Sequence, residues 1–176
     1  MNKILLIVIL LSVFSFKSIA QTKTQPQLSI GGEFGSPVGQ ASNIYDSVFG
    51  GSVKLEVPTK HPGLSMTGTG GINVYLVKLY YTGFLRNVAY LPLELGAKYY
   101  FSKIAYVEGD AGASIFIGNN YSASRAAFIY APIIGVTAPT NHHRNTIDLG
   151  LRYEGRVEKG GTVGQIAIRI AYRFKI

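Results

Sequence analysis

The chain contains no cysteine and no tryptophan. Without cysteine there is no disulfide framework, no thiol nucleophile, no zinc-thiolate site and no lipid-modified N-terminal cysteine. Charge is scarce too: charged residues make up 15% of the 176 positions, against about 25% in soluble domains. Acids are the scarcer sign, 9 against 17 Lys and Arg, for a formal net charge of +8. Aromatic and small residues fill the space instead, with 12 Tyr, 9 Phe and 21 Gly in a chain that is 47% hydrophobic. That apolar content excludes disorder, and no sustained heptad supports a coiled coil. The length fits one domain.

Residues 1–20 predict a cleaved export signal: Lys3 supplies the charged start, Ile4 to Leu11 with Val13 and Phe14 the apolar run, and Ser18 and Ala20 the small residues before Gln21. Ser12, Ser15 and Lys17 leave the run short of the roughly 20 apolar residues of a membrane span. Residues 21–176 are then the mature domain, with 15 bases and 9 acids.

Beyond that segment, apolar residues recur with period two and not with a helical period. The last strand is the clearest: Gly164, Ile166, Ile168, Ile170, Tyr172, Phe174 and Ile176 share one face, and Gln165, Ala167, Arg169, Ala171 and Arg173 the other. Residues 89–101 and 105–117 repeat the pattern, and the same test places strands near 28–35, 48–57, 64–74, 126–137 and 146–156. Turn residues separate them, at Ser36-Pro37 with Gly39, Pro58 to Gly63, Gly118 to Asn120, Pro139 to Asn145 and Gly160-Gly161. Eight strands so punctuated predict an all-β fold, an antiparallel up-and-down barrel. Pro92 and Pro132 fall inside strands, where a missing N–H suggests bulges.

The placement of charge decides which side of the barrel is apolar. Thirteen charges lie on the polar strand faces: Glu33, Lys54, Glu56, Glu94, Lys98, Glu108, Asp110, Asp148, Arg152, Glu154, Arg156, Arg169 and Arg173. The rest lie in tails, turns and loops, and none lies on an apolar face. Seven acids interleaved with six bases on a Gly- and Ala-rich face suit a narrow lumen crossed by ion pairs, with the apolar face outward in lipid. The expectation is a transmembrane barrel whose lumen is a plug and not a pore, because eight strands enclose only enough room for side chains. With the N-terminus periplasmic, Phe34, Phe49 and Tyr153 form an outer girdle, and Tyr99, Phe101, Tyr172 and Phe174 an inner one.

These features resemble small outer-membrane β-barrels of the Bacteroidetes type, a PorT-like family, and more loosely the OmpX and OmpA-barrel group. The segments that carry the resemblance are Gly31-Gly32-Glu33-Phe34-Gly35, Leu91 to Phe101, Tyr106-Val107-Glu108-Gly109 and Ala171 to Ile176. It implies residence in the outer membrane, contact with its lipid, and recognition of the last strand by the barrel-assembly machinery. In the family that machinery reads an aromatic-ended last strand; here the final residue is Ile176, with the aromatics at Phe174 and Tyr172. Some barrels of this size modify lipid A and need a histidine near the outer leaflet, whereas His61 and His142-His143 fall in turns on the periplasmic side. A Ser/His/acid site there lacks its general base, so no catalytic residue is assigned.

His142 and His143 are adjacent, point opposite ways in extended chain and have no carboxylate in their turn, so no metal is expected. Gly68-Thr69-Gly70-Gly71 lacks the following helix and Gly-Lys-Ser/Thr ending of a phosphate loop. No cofactor is expected. Nucleic acid is excluded as a partner, since no basic stripe interleaves with aromatics, and the positive excess suits anionic lipid head groups. One segment stands out: residues 75–85 at the second outer connection are too apolar for a solvated loop. Tyr75, Tyr80, Tyr81 and Phe84, flanked by Lys78 and Arg86, form a candidate patch for an envelope or surface protein partner, unless the strands simply extend there. A structural or interaction role follows. A narrow channel, a component of an envelope secretion complex and an exported soluble barrel with an apolar ligand inside are the alternatives.

Overall fold

The computed structural model describes residues 25–117, 125–140, 145–158 and 160–176; the export segment and His142-His143 lie outside the described residues. Eight strands follow in order: β1 (Gln27–Val38), β2 (Tyr45–Pro58), β3 (Leu64–Val77), β4 (Val88–Tyr100), β5 (Ala105–Ile117), β6 (Ala126–Pro139), β7 (Thr146–Glu158) and β8 (Gly161–Lys175). Each pairs antiparallel with the next, and β1 closes on β8 through Gln27↔Lys175 to Val38↔Gly164, giving a closed up-and-down barrel. Closure leaves no strand edge with unpaired backbone groups.

The alternation read from the sequence becomes two surfaces. Outward lie Ile30, Phe34, Val53, Leu55, Met66, Leu93, Leu95, Leu149, Leu151, Ile168 and Ile170, all exposed. Inward lie the seven acids and six bases named above, all buried. The start of β1 and the end of β8, with the β2–β3, β4–β5 and β6–β7 connections, lie at one end of the barrel, here the terminal end. The remaining connections make the loop end, where Phe34 and Phe49 stack at 4.9 Å and Tyr130 and Tyr153 at 6.2 Å.

Several local expectations are corrected. Neither proline marks a bulge. Opposite Pro92 the β3–β4 pairing lapses between Gly70↔Leu93 and Asn73↔Tyr90 without changing register, and opposite Pro132 the β6–β7 pairing does the same between Tyr130↔Gly155 and Ile133↔Arg152. Losing one N–H removes a ladder bond but does not displace the chain. The bulge lies instead at Asp46, where the β2–β3 register shifts between Tyr45 and Ser47. Ser36-Pro37 is not a turn: β1 runs through it, paired to β8 alone, and the chain turns at Gly39 with φ +67°. The loop-end connections shorten accordingly, β1 to β2 by way of a 3-10 turn at Gly39–Asn43, and β3 to β4 by way of residues 78–87 with a 3-10 turn at Leu79–Tyr81.

Candidate functional site: a lumen of ion pairs with two unlike mouths

The lumen core is organised by a few cations shared among many carboxylates. Arg152 Nη2 donates to both oxygens of Glu94, at 2.7 and 2.8 Å, and to Glu154 at 2.8 Å. The same guanidinium lies 3.8 Å from Asp110 and 3.9 Å from Glu33. Lys54 pairs with Glu108 and, at 3.4 Å, with Asp110. Lys98 reaches Asp148 at 2.9 Å and Glu56 at 3.4 Å. Arg169 lies 3.5 Å from Glu33 and donates to Ser52 at 2.9 Å, while Arg173 donates to Glu56 at 3.0 Å. The structure thus brings all twelve candidates together: Glu33, Lys54, Glu56, Glu94, Lys98, Glu108, Asp110, Asp148, Arg152, Glu154, Arg169 and Arg173. These pairs span strands far apart in sequence because closure sets every inward face toward one axis. With both partners of each pair this buried, the pairing must be nearly complete to repay desolvation.

Neutral groups complete the network. Ser52 donates to Glu33 at 2.8 Å, Thr67 to Asp110 at 3.0 Å, and Tyr106 to Asp148 at 2.6 Å. Tyr106 is also the ring over which Lys98 sits, 3.6 Å from its centroid. Its seat is made by Gly135 and Gly150, where an added Cβ would meet the Tyr106 ring at 2.4 Å and its hydroxyl at 3.1 Å. Tyrosines and hydroxyls on a polar strand face could have been found from alternation alone, but the glycine seat could not, since it needs the β6–β7 register. β6 contributes no charge, facing the lumen with Ile129, Ala131 and Ile133, all buried. The ionic interior and apolar exterior invert a soluble barrel that holds an apolar ligand.

The mouths differ. Under the loop end, Tyr45, Tyr75, Tyr90 and Phe116 form an edge-to-face chain across β2 to β5, with successive ring centroids 5.5, 5.6 and 5.6 Å apart. Arg156 stacks on this stopper, 3.7 Å from the Tyr90 centroid, and donates to Glu158 at 2.8 Å. Tyr75 is therefore corrected: it is 1% exposed, a lumen residue of β3, and no part of a surface patch. Strand alternation continues three residues past the predicted end, to Val77, and turns Tyr75 inward. Tyr80 and Phe84 are 86% and 91% exposed, beside the exposed Leu79, and Tyr81 is half-buried. Tyr80 and Tyr81 meet edge-to-face at 5.2 Å. At the terminal end the described residues form only a ring pair, Tyr100 and Tyr106 at 5.7 Å, and Tyr100 and Arg173 floor a recess bordered by the turns, in one of which His61 lies.

No family model and no curated protein matches the chain. Solved structures do. The outer membrane protein Ail of Yersinia pestis in a phospholipid bilayer nanodisc matches with a TM-score of 0.55 at 15% identity, covering 86% of this chain and 100% of that one. The crystal structure of Ail, the attachment invasion locus protein of Yersinia pestis, matches at 0.53 and 18%, covering 87% and 100%. Its complex with the heparin analogue sucrose octasulfate matches at 0.52 and 16%, covering 87% and 100%. At such identities the likeness is one of fold: small eight-stranded barrels of the outer membrane.

Proposed function

We propose that the chain is an exported, integral outer-membrane barrel of the kind found in Bacteroidetes, inserted by the barrel-assembly machinery, with a closed lumen and an interaction role at its loop end. The observation that carries the reading is the separation of surfaces: the strands present an apolar face outward, with exposed charge only at strand ends such as Asp46, while thirteen charges are buried inside. Lipid can cover such an exterior and water cannot do so cheaply. The terminal end then faces the periplasm. Fold alone does not fix function, so the role is argued from the loop between β3 and β4. Leu79, Tyr80 and Phe84 stand exposed on it between Lys78 and Arg86, an aromatic anchor set with flanking charge suited to a protein partner at the cell surface. The reading is non-enzymatic, because a lumen whose carboxylates are engaged by Arg and Lys offers no base or nucleophile to a substrate.

Two measurements test it. Fractionation should recover the protein from outer membranes and only with detergent; recovery from the soluble periplasm overturns the membrane reading. Planar-bilayer recording of the purified barrel should show no steady conductance, and well-resolved steps would replace the plug with a narrow channel.

A further inference from the structure

The terminal mouth holds a recess of about 420 Å³, within the range of about 300–1,000 Å³ typical of small-molecule sites. Its floor is Glu56, Tyr100 and Arg173 from the lumen, and its rim carries Lys60 and His61 of the β2–β3 turn and Lys103 of the β4–β5 turn. The charge around it has one sign. The described turns at this end, 59–63 and 101–104, contain Lys60 and Lys103 and not one Asp or Glu, whereas Asp46 of β2 and Glu158 of β7 both lie at the loop end. The single carboxylate in the lining, Glu56, is already engaged by Arg173 at 3.0 Å and Lys98 at 3.4 Å. Among the described residues, Lys60 and Lys103 enter no ion pair. Positive charge at the mouth is therefore left uncompensated where the lumen has matched almost every other charge.

The rim is also fixed in place. Thr59 donates to Leu64 O at 2.9 Å and accepts the His61 N–H at 3.2 Å, closing the turn that carries Lys60. Tyr100 N–H donates to Gly63 O at 2.8 Å, which ties that turn to the end of β4; Gly63 sits at φ +78°, and a Cβ there would meet Tyr100 O at 2.8 Å. Ser102 accepts the Ala105 N–H at 2.9 Å and holds the turn that carries Lys103. Two lysines from separate, braced turns thus line one concavity. Cations meant only for head groups would serve on the outer circumference, which lipid touches; these line a recess on the lumen axis, walled by inward-facing Glu56, Ser65 and Tyr100.

We propose that this recess is an anion-binding site that takes the carboxylate or phosphate group of a small solute, with Lys60 and Lys103 as its charge partners and Arg173 beneath. The inference uses the outer-membrane reading only to say that the solute arrives from the periplasm. The test is a titration of the folded full barrel in uncharged detergent micelles, followed by the amide resonances of residues 59–63 and 101–104, with inorganic phosphate and with succinate as probes. Saturable shifts are expected, weakened at least about tenfold in K60Q/K103Q, since charge-assisted hydrogen bonds are lost, and unchanged in K78Q/R86Q at the other mouth. Heat-modifiable gel mobility verifies that each variant is folded. No saturable shift with either probe overturns the site, as does an equal loss in K78Q/R86Q, which would mean diffuse charge only. Repeating the titration in phosphatidylglycerol and phosphatidylcholine nanodiscs separates the sources: if the anionic lipid alone abolishes phosphate binding, the ligand is a lipid head group and the small-solute assignment is wrong. Because the micelle measurement needs no membrane location, its failure is distinct from a failure of the fractionation test.

Discussion

At the loop end the lumen is stopped by hydrocarbon: Tyr45, Tyr75, Tyr90 and Phe116 pack edge to face across four strands, and the one nearby guanidinium, Arg156, stacks on them. At the terminal end it is charged and concave, with Arg173 on the floor and Lys60 and Lys103 on the rim. One cylinder of alternating strands therefore ends in two chemistries. The difference arises because alternation fixes only which residues face the axis, while the identity of those residues is free to change along it. Aromatic rings at one height make a seal; free cations at the other make a surface that attracts anions. Between them lies the ion-pair network, and its strength decides whether the two mouths behave independently.

The strongest way to break the comparison is to remove the shared cation between the mouths. Arg152→Met removes the guanidinium from Glu94, leaves Glu154 only the longer bond from Asn73, and weakens the compensation of Glu33 and Asp110. Breaking a buried pair costs about 3–5 kcal/mol, and this residue serves several partners, so the loss should lie at the top of that range. Urea unfolding of the barrel in micelles checks it, with Asp46→Asn at the exposed bulge as the control that should hardly move. A cost under about 1 kcal/mol would mean that water, and not Arg152, compensates the carboxylates.

The next effect separates the stopper from the loop above it. Tyr75→Ala removes a fully buried ring from the middle of the aromatic chain, and deletions of this size in a packed interior cost about 3–5 kcal/mol. The lower part of that range is expected, because the site is near an open end. The same unfolding assay applies, and a negligible cost would return Tyr75 to the surface. Gly135→Val comes next, since its added carbons meet the Tyr106 ring; overpacking of this kind costs about 1–3 kcal/mol. Tyr106→Ser in the same background should relieve part of that clash, and strict additivity of the two changes would show that the ring and the glycine do not touch.

How much of this was legible beforehand follows from what alternation encodes. The inward or outward direction of a residue depends on its parity within a strand, so Glu94, Lys98, Glu108 and Arg152 could be assigned to the lumen with no knowledge of their partners. Partner choice depends on register, which brings Lys54 of β2 to Glu108 of β5 and Arg173 of β8 to Glu56 of β2; no local pattern carries that. Strand ends were the other gap. Pro37 and Tyr75 look like loop residues by composition, yet each continues a strand, Pro37 because only one neighbour needs its backbone there, and Tyr75 because the lumen above the ion pairs needed an apolar filling. The recess at the terminal end was invisible for a related reason. Its lining joins two turns and five strands, and β8 comes beside β1 only after closure.

The smallest expected effect is the one that sharpens the functional reading most. Tyr80→Ser and Phe84→Ser change residues that are 86% and 91% exposed, and surface substitutions away from packed features usually stay within about 0.5 kcal/mol. Stability should therefore be indifferent to them, in contrast to Tyr75→Ala in the stopper below. Tyr81 is half-buried and stacks on Tyr80, so Tyr81→Ser should cost slightly more, with the loss confined to the loop. If the loop is an interaction surface, cross-linking of intact cells should capture a partner protein with the wild type and lose it with the triple Ser variant at equal barrel yield. If instead the triple variant unfolds as readily as Tyr75→Ala, the loop belongs to the stopper, the two layers of the loop end are one structure, and the exposed aromatics have no separate role in binding.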